Sequence, residues 1–145
     1  MAGIRGKDTR PEMVIRRGLH RRGFRFRLHD RKLPGKPDLV FKRYHAVVFV
    51  NGCFWHQHDC YLFRWPSSRT EFWRAKITGN RNKDADTRRR LREQGWRVLT
   101  VWECATRGRC RRLPDDILSE IADWLASGAP DMEIGGRDDG ARRHD

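Results

Sequence analysis

"PDLVFKRYHAVVFVNGCFWHQHDC" (residues 37–60) is the segment with the strongest indication of the architecture. It contains two short apolar runs, "PDLVF" and "AVVFV", whose β-branched and aromatic residues indicate strands. A loop near Tyr44 would join them as a hairpin, and the second strand ends at a loop rich in cysteine and histidine. Working outward, "FRFRL" alternates with period two and "WRVLTVW" is a further apolar run. We therefore expect a central sheet of about four strands.

Helical segments flank these strands. "DTRPEMVIRRGLHRRG" places Thr9 and Glu12 at capping-box spacing and continues as an amphipathic helix. Two polar helices are predicted over 71–80 and 83–94, and a last helix over 115–126. The chain is thus predicted to be α/β, with a small mixed central sheet flanked by helices in one domain over residues 1–126. Residues 127–145 are rich in glycine and charge, so we expect a disordered tail.

The composition limits the classes of function. The chain has 145 residues, 32 lysines plus arginines against 19 aspartates plus glutamates, a net charge of +13 and a pI of about 10.7. Such an excess is typical of proteins that bind a polyanion, most often nucleic acid. No apolar run approaches the roughly 20 residues of a membrane helix, and no N-terminal segment resembles a signal peptide. We expect a cytoplasmic protein with no membrane partner, in which the four cysteines favour metal ligation over disulfides.

A zinc site is indicated by the loop after the second strand. Cys53, His58 and Cys60 lie within eight residues at a spacing typical of zinc ligands, and zinc prefers four such ligands in a tetrahedron. Cys104 is the natural fourth donor because it follows a predicted strand, and neighbouring strands can deliver their ends to one sheet edge. Cys110 is then spare. A structural zinc is favoured over a catalytic one, since the zinc-enzyme signatures H-E-x-x-H and H-x-E…P-C-x-x-C are absent from the sequence.

Three further side chains near this loop are candidates for chemistry. His56 lies two residues from His58, so its imidazole could act as a general base, or be a spare loop histidine or another zinc ligand. Asp38 opens an apolar strand at the sheet edge, where a carboxylate could hold Mg²⁺ together with carbonyl and phosphate oxygens, or merely stabilise a turn. Glu12 could reach the same place or serve only as the capping partner of Thr9.

Five segments occur in the order found in a known enzyme family: "IRGKDTRPE", "RGFRFRLHDRKLPGKPDLV", "NGCFWHQHDCYLFRWP", "SRTEFWRAKITGNRNKD" and "GWRVLTVWECATRGR". Over residues 4 to 109 the chain resembles the very short patch repair endonucleases. This bacterial family belongs to the PD-(D/E)xK nuclease superfamily and nicks DNA beside the thymine of T:G mismatches, which arise by deamination of 5-methylcytosine. The resemblance implies a restriction-endonuclease-like core with a structural zinc site.

The resemblance also implies roles for single residues. Asp38 would bind magnesium, His56 would activate the attacking water in place of the absent lysine of the superfamily motif, and Glu12 would help to orient that histidine or the waters. Val50 would contribute its backbone carbonyl to the magnesium. Asn51 stands where family members usually carry a histidine that assists at the scissile phosphate, which predicts reduced turnover. The implied zinc ligands are those that spacing suggests: Cys53, His58, Cys60 and Cys104.

An aromatic wedge is a further implication. Phe54, Trp55 and Trp73 would open the duplex beside the mismatch, with Lys76 and Asn80 near the mismatched pair. The residues themselves support a wedge, because a tight metal loop has little core in which to hide two large rings and unstacking costs least at a mismatch. The alternative is that the rings pack on the sheet edge. Trp73, Lys76 and Asn80 share one helix face, and the basic run "TRRRLREQ" suits phosphate contacts.

We therefore predict a magnesium-dependent, strand-specific DNA endonuclease with a structural zinc. His56 would take a proton from water, and magnesium held by Asp38 would stabilise the leaving 3′ oxygen. The expected partner is double-stranded DNA with a T:G mismatch, with mismatch-repair proteins as further candidates, and we expect a monomer associated with the nucleoid. Two alternatives are a non-catalytic mismatch- or DNA-binding module with structural zinc, and a zinc-dependent hydrolase.

Overall fold

The centre of the protein is a five-stranded sheet in the order β1-β2-β3-β4-β5, seen in a computed structural model that describes residues 9–137. The pairs β1–β2 and β2–β3 are antiparallel, and the pairs β3–β4 and β4–β5 are parallel. The mixed α/β prediction is confirmed. The strands are β1 (Arg27–Leu28), β2 (Leu39–Phe41), β3 (Ala46–Asn51), β4 (Arg97–Trp102) and β5 (Met132–Ile134).

β2 and β3 form the predicted hairpin. Leu39 pairs with Val48 and Phe41 with Ala46, and a short 3₁₀ turn over Lys42–Tyr44 joins the strands. All of β2 and the first half of β3 are buried. Because the pairing is antiparallel, the beginning of β2 and the end of β3 lie at the same edge of the sheet.

Helices cover both faces of the sheet. Successive side chains of β2 point to opposite faces and are buried on both. Leu39 and Phe41 pack in the cluster that includes α1 and α4, whereas Val40 packs with Leu91 of α2 on the other face. No helix within residues 9–137 is long and apolar enough to cross a membrane. The helices are α1 (Arg10–Arg21), α2 (Thr70–Glu93), α3 (Glu103–Thr106) and α4 (Pro114–Ser127).

One continuous helix, α2, spans the segment for which two helices were predicted. The break expected between residues 80 and 83 is therefore wrong. The helix runs for 24 residues without interruption. Glycine and asparagine near residue 80 lower helix propensity by only about 1 kcal/mol each or less, and the buried side chains of Ile77 and Leu91 anchor both halves on the body of the protein. As a result, side chains from Trp73 to Asp84 form one stripe on a single helix.

β5 corrects the prediction of a disordered tail for residues 127–137. It pairs parallel with β4, and side chains on both sides fix it. Asp131 Oδ1 accepts from Val98 N–H at 2.9 Å, and Glu133 Oε1 accepts from the indole N–H of Trp102 at 2.7 Å. A strand of three residues is too short for its periodicity to stand out in a glycine-rich, charged segment. The rest of the predicted tail, residues 138–145, lies outside the described residues.

Candidate metal centres and active site

Four metal-ligand side chains converge beside the ends of β3 and β4. Cys53, His58 and Cys60 come from the loop after β3, and Cys104 comes from α3. Their ligand atoms all lie within 4.8 Å of one another, and His58 Nδ1 is 3.4 Å from Cys53 Sγ and 3.6 Å from Cys104 Sγ. Ordinary tetrahedral zinc bonds give N···S separations of about 3.6 Å, so this group can hold zinc. Cys110 is buried outside the group, as a spare thiol would be.

Neighbouring groups orient these ligands. Trp102 stacks on the ring of His58 with centroids 4.1 Å apart. The thiol of Cys104 accepts from Gly136 N–H at 3.2 Å, and that of Cys53 accepts from Cys104 N–H at 3.3 Å. Backbone N–H donors stabilise thiolates and fix their direction, as outer-shell partners of metal ligands commonly do. The segment after β5 therefore takes part in the environment of this cluster.

Hydrogen bonds within the cluster shift the pKa values of its side chains in different directions. Hydrogen bonding with Cys104 and Cys53 holds the pKa of the Cys60 thiol far below its ordinary value, whereas hydrogen bonding with Cys104 and Cys60 raises the pKa of Cys53. Burial lowers the pKa of His58, but the thiols of Cys104 and Cys60 outweigh burial and raise it to about 9. A metal ion would displace the protons that these ligands hold, because it binds deprotonated thiol and imidazole.

Asp38 lies directly before β2 and beside the end of β3. Its Oδ2 accepts a hydrogen bond from Val50 N–H at 2.7 Å, and the residue is only 9 % exposed. Burial raises the pKa of Asp38 to about 7, against the lowering effect of the Val50 hydrogen bond. Glu12 raises this pKa further, while His29 and His56 lower it. A buried carboxylate with so raised a pKa is typical of functional sites.

Glu12 and His29 complete a second group of ligand atoms around Asp38. Glu12 is 1 % exposed, and its Oε2 accepts from Arg16 Nη1 at 3.0 Å and lies 2.7 Å from His29 Nε2. The same nitrogen is 3.9 Å from Asp38 Oδ1, and the three ligand atoms lie within 4.8 Å of one another. Thr9 Oγ1 accepts from Glu12 N–H at 3.4 Å. Thr9 thus caps α1 as predicted, while the carboxylate of Glu12 faces Asp38.

His29 is a residue of this group that the sequence analysis did not identify. Leu28 pairs with Leu39 across β1 and β2, so the next residue, His29, lies opposite Asp38. The backbone N–H of His29 donates to the Asp38 carbonyl at 3.1 Å. The available signal was a histidine one residue beyond the alternating "FRFRL" strand, but it identifies a site residue only once that strand is paired with the one that Asp38 opens.

His56 lies in the loop after β3, and its Nδ1 is 2.5 Å from Asp84 Oδ2 on α2. Both side chains are about one-quarter exposed. A carboxylate on Nδ1 orients the imidazole and leaves Nε2 to accept a proton, which is the arrangement of a general base. The sequence analysis missed Asp84, because the break predicted before residue 83 separated it from Asn80, its neighbour one turn earlier on α2.

The end of β3 lies between the carboxylate of Asp38 and the imidazole of His56. Asn51 is half-buried and pairs in register with Trp102 of β4, and the ring of Trp102 lies 6.3 Å from that of His56. Val50, the preceding residue, is the one that donates to Asp38. The structure thus brings Asp38, Asn51 and His56 to one edge of the sheet.

Phe54, Trp55 and Trp73 pack against one another beside this edge. Their ring centroids are 5.1 to 5.7 Å apart, and all three are half-exposed. Asn80 Nδ2 donates to the backbone carbonyl of Trp55 at 3.1 Å, so α2 holds the loop that carries the rings. Lys76 is exposed on the same helix.

Comparisons of the sequence with those of known proteins identify a family. The family model described as DNA mismatch endonuclease Vsr matches residues 1–62. The DNA mismatch endonuclease Vsr of Escherichia coli (strain K12) is 45 % identical over 135 residues, which cover 92 % of this chain and 86 % of that protein. The type II nicking enzyme V.XorIIP of Xanthomonas oryzae pv. oryzae is 48 % identical over 104 residues, 72 % of this chain and 76 % of that protein.

A third relative is similar over most of the chain. The type II nicking enzyme V.NmeAIP of Neisseria meningitidis serogroup A is 40 % identical over 125 residues, 85 % of this chain and 89 % of that protein. The resemblance inferred from the five segments is therefore confirmed over most of the chain. The chain belongs to the Vsr family of DNA mismatch endonucleases and is a nuclease that acts on DNA.

Proposed function

We propose that this chain is a Mg²⁺-dependent, strand-specific endonuclease that nicks duplex DNA beside the thymine of a T:G mismatch. The observation that carries the proposal is the meeting of two groups at one sheet edge. One is the buried carboxylate of Asp38, and the other is the imidazole of His56 paired with Asp84. The names of its relatives, a mismatch endonuclease and two nicking enzymes, support single-strand cleavage of DNA.

Cleavage of a phosphodiester by water needs a base, and His56 supplies it. Asp84 holds Nδ1, so that Nε2 takes a proton from the attacking water. The resulting hydroxide attacks phosphorus, and the bond from phosphorus to the 3′ oxygen breaks. The leaving 3′ oxygen takes a proton from solvent water, so the products are a 5′-phosphate and a 3′-hydroxyl. A positioned general base contributes about 10²–10⁴-fold to such a rate.

Asp38 and Glu12 fit the divalent ion that this reaction needs. Both carboxylates are nearly buried and lie in one group of ligand atoms, and carboxylate oxygens with water are the ligands that Mg²⁺ prefers. The carbonyl of Val50 is proposed as a further ligand. When bound, Mg²⁺ supplies positive charge that stabilises the phosphate and the leaving oxygen. The role of Asp38 is to hold that charge at the scissile phosphate.

The second cation is a structural zinc, held by the three cysteines and His58. The N···S separations of 3.4 and 3.6 Å fit it, and four protein ligands leave no open position for chemistry. It would join the loop that carries His56 to α3 at the end of β4. The zinc-dependent hydrolase is therefore the weaker alternative.

Recognition of the mismatch is assigned to the aromatic cluster of Phe54, Trp55 and Trp73. Apolar rings that enter the stack pay a few kcal/mol for each unstacked step, and least at a mismatch. Lys76 and Asn80 lie on the same helix and are proposed to contact the mismatched pair. Asn80 also positions the wedge, since its amide holds the carbonyl of Trp55. A cytoplasmic monomer associated with the nucleoid would suit such a protein.

The experiment that tests this function measures binding and nicking separately on zinc-loaded protein. Asp38→Ala and His56→Ala should keep affinity for T:G duplex but lose Mg²⁺-dependent nicking, the latter by about 10²–10⁴-fold. Asp84→Asn should follow His56→Ala, because it removes the charge that orients the imidazole. His45→Gln, at the opposite end of β3, is the matched control and should nick at the wild-type rate.

The same experiment separates the alternatives. Wild-type protein that binds the mismatch but never nicks, with any divalent ion, would identify a binding module. Nicking by zinc-loaded protein in the absence of any added ion would identify a zinc-dependent hydrolase. Unaltered nicking in His56→Ala would show that another group is the base.

A further inference from the structure

His29 approaches the proposed catalytic site from β1, and its position is fixed by the backbone. It adopts a left-handed conformation with φ of 48°, and its N–H is bonded to the carbonyl of Asp38. Positive φ is uncommon for residues other than glycine and persists where the surrounding structure enforces it. The imidazole is 20 % exposed, so it lies between the buried carboxylates and solvent.

The nitrogen of His29 and the two carboxylate oxygens lie close enough together for one cation to contact all three. His29 Nε2 lies 2.7 Å from Glu12 Oε2 and 3.9 Å from Asp38 Oδ1. Adjacent ligands of an octahedral ion with bonds of 2.0–2.1 Å are about 3 Å apart. The separation from Glu12 is close to this value, and that from Asp38 is longer.

We propose that His29 is a direct ligand of the catalytic divalent ion, together with Asp38 and Glu12, and that the site therefore binds Mn²⁺ more tightly than Mg²⁺. This inference rests on the proposed function, because it concerns the same ion. Mg²⁺ is a hard ion that takes oxygen ligands, whereas imidazole favours first-row transition metals. Mn²⁺, like Mg²⁺, accepts carboxylate oxygens, and as a first-row transition metal it gains more than Mg²⁺ from an added imidazole nitrogen.

The first measurement is the pair of dissociation constants for Mn²⁺ and Mg²⁺ on zinc-loaded protein without DNA, by calorimetry. Wild-type protein should bind Mn²⁺ at least tenfold more tightly than Mg²⁺. His29→Gln should weaken Mn²⁺ about tenfold or more and Mg²⁺ much less, so that the preference for Mn²⁺ over Mg²⁺ becomes clearly smaller. His20→Gln, an exposed histidine at the other end of α1, is the matched control and should change neither constant.

The second measurement detects the nitrogen itself and needs no variant. Electron spin-echo modulation of bound Mn²⁺ should show a directly coordinated ¹⁴N in wild-type protein, and it should change to ¹⁵N when the histidines are ¹⁵N-labelled. The coupling should vanish in His29→Gln and persist in His56→Gln. Absence of a histidine coupling in wild-type protein would overturn the proposal, as would a coupling that His56→Gln removes.

The outcomes distinguish this inference from the proposed function. Protein that nicks T:G duplex with Mg²⁺ but shows no histidine nitrogen on Mn²⁺ refutes the role of His29 and leaves the nuclease function intact. Protein that shows the His29 coupling but does not nick refutes the function and leaves the ligand assignment intact. Equal dissociation constants for the two ions in wild-type protein would also refute the inference.

Discussion

Among single residues, Asp38 is central to the proposed chemistry, because burial raises the pKa of its carboxyl group to about 7 at the edge of the sheet. A carboxylate at the start of an apolar strand, opposite the end of its hairpin partner, is recognisable from the pattern alone. Its neighbours are not, because His29 and Asp84 come from segments whose approach depends on strand pairing and on an unbroken helix. Ligand spacing predicts Cys53, His58 and Cys60 as a group because all three lie in one loop. It does not predict His29 or Asp84, because spacing within a loop carries no information about partners from distant segments.

Replacing Asp38 with asparagine should stabilise the protein in the absence of Mg²⁺. The folded-state pKa of about 7 lies above the unfolded value of about 3.9, so the folded protein binds an extra proton between these values. The stability that Asp38 contributes therefore falls as pH rises through this window. The gain from Asp38→Asn should grow by about 1 kcal/mol between pH 6 and pH 8.

Denaturant unfolding of zinc-loaded, Mg²⁺-free protein at the two pH values measures this difference. Asp123→Asn, an exposed carboxylate on α4, is the control and should show no such growth. A gain that is constant or shrinks with rising pH would mean that Asp38 is not a buried, destabilised carboxylate in the folded protein.

At the level of single elements, α2 connects the proposed recognition surface with the proposed general base. Its stripe carries Trp73, which packs in the aromatic cluster, then Asn80, which holds the carbonyl of Trp55, and then Asp84, which holds His56. The shared face of residues 73 to 80 could be predicted from helical spacing. Its continuation to Asp84 could not, because local propensity at residues 79–82 favours a break and only the burial of Ile77 and Leu91 overrides it.

Truncation of the aromatic rings should reduce the preference for T:G duplex over fully paired duplex. Trp55→Ala and Trp73→Ala should each weaken binding to T:G duplex by about 1–3 kcal/mol, as loss of base–aromatic stacking does elsewhere. Affinity for fully paired duplex should be nearly unchanged. The ratio of the two affinities at one fixed salt concentration is the measurement, with zinc content as the check on folding.

Variants of two basic residues on the same helix are the control for the tryptophan variants. Replacing the exposed Arg81 and Lys83 should weaken both duplexes alike and flatten the dependence of affinity on salt, because phosphate contacts release counterions whatever the sequence. An unaltered ratio in both tryptophan variants would mean that the rings are packing residues and that another surface reads the mismatch.

At the scale of the whole molecule, charge and architecture have separate roles. The net charge of +13 predicts salt-sensitive attraction to DNA but not where the chain cuts. The sheet and hairpin were predictable because buried strands have continuous apolar runs, whereas β5 was not, since three residues held by Asp131 and Glu133 leave no periodic signal. In the proposed mechanism, the residues at the sheet edge direct this general attraction to cleavage at one phosphate.

The position and chemistry of the cut on a strand-labelled duplex with one T:G mismatch test the central claim most directly. With Mg²⁺ and zinc-loaded protein, we expect a single nick beside the thymine, only in its strand, with a 5′-phosphate and a 3′-hydroxyl. The matched T:A duplex should stay intact under the same conditions. Cleavage of both strands, equal cleavage of the T:A duplex, or undiminished cleavage in the presence of a Mg²⁺ chelator would contradict the account.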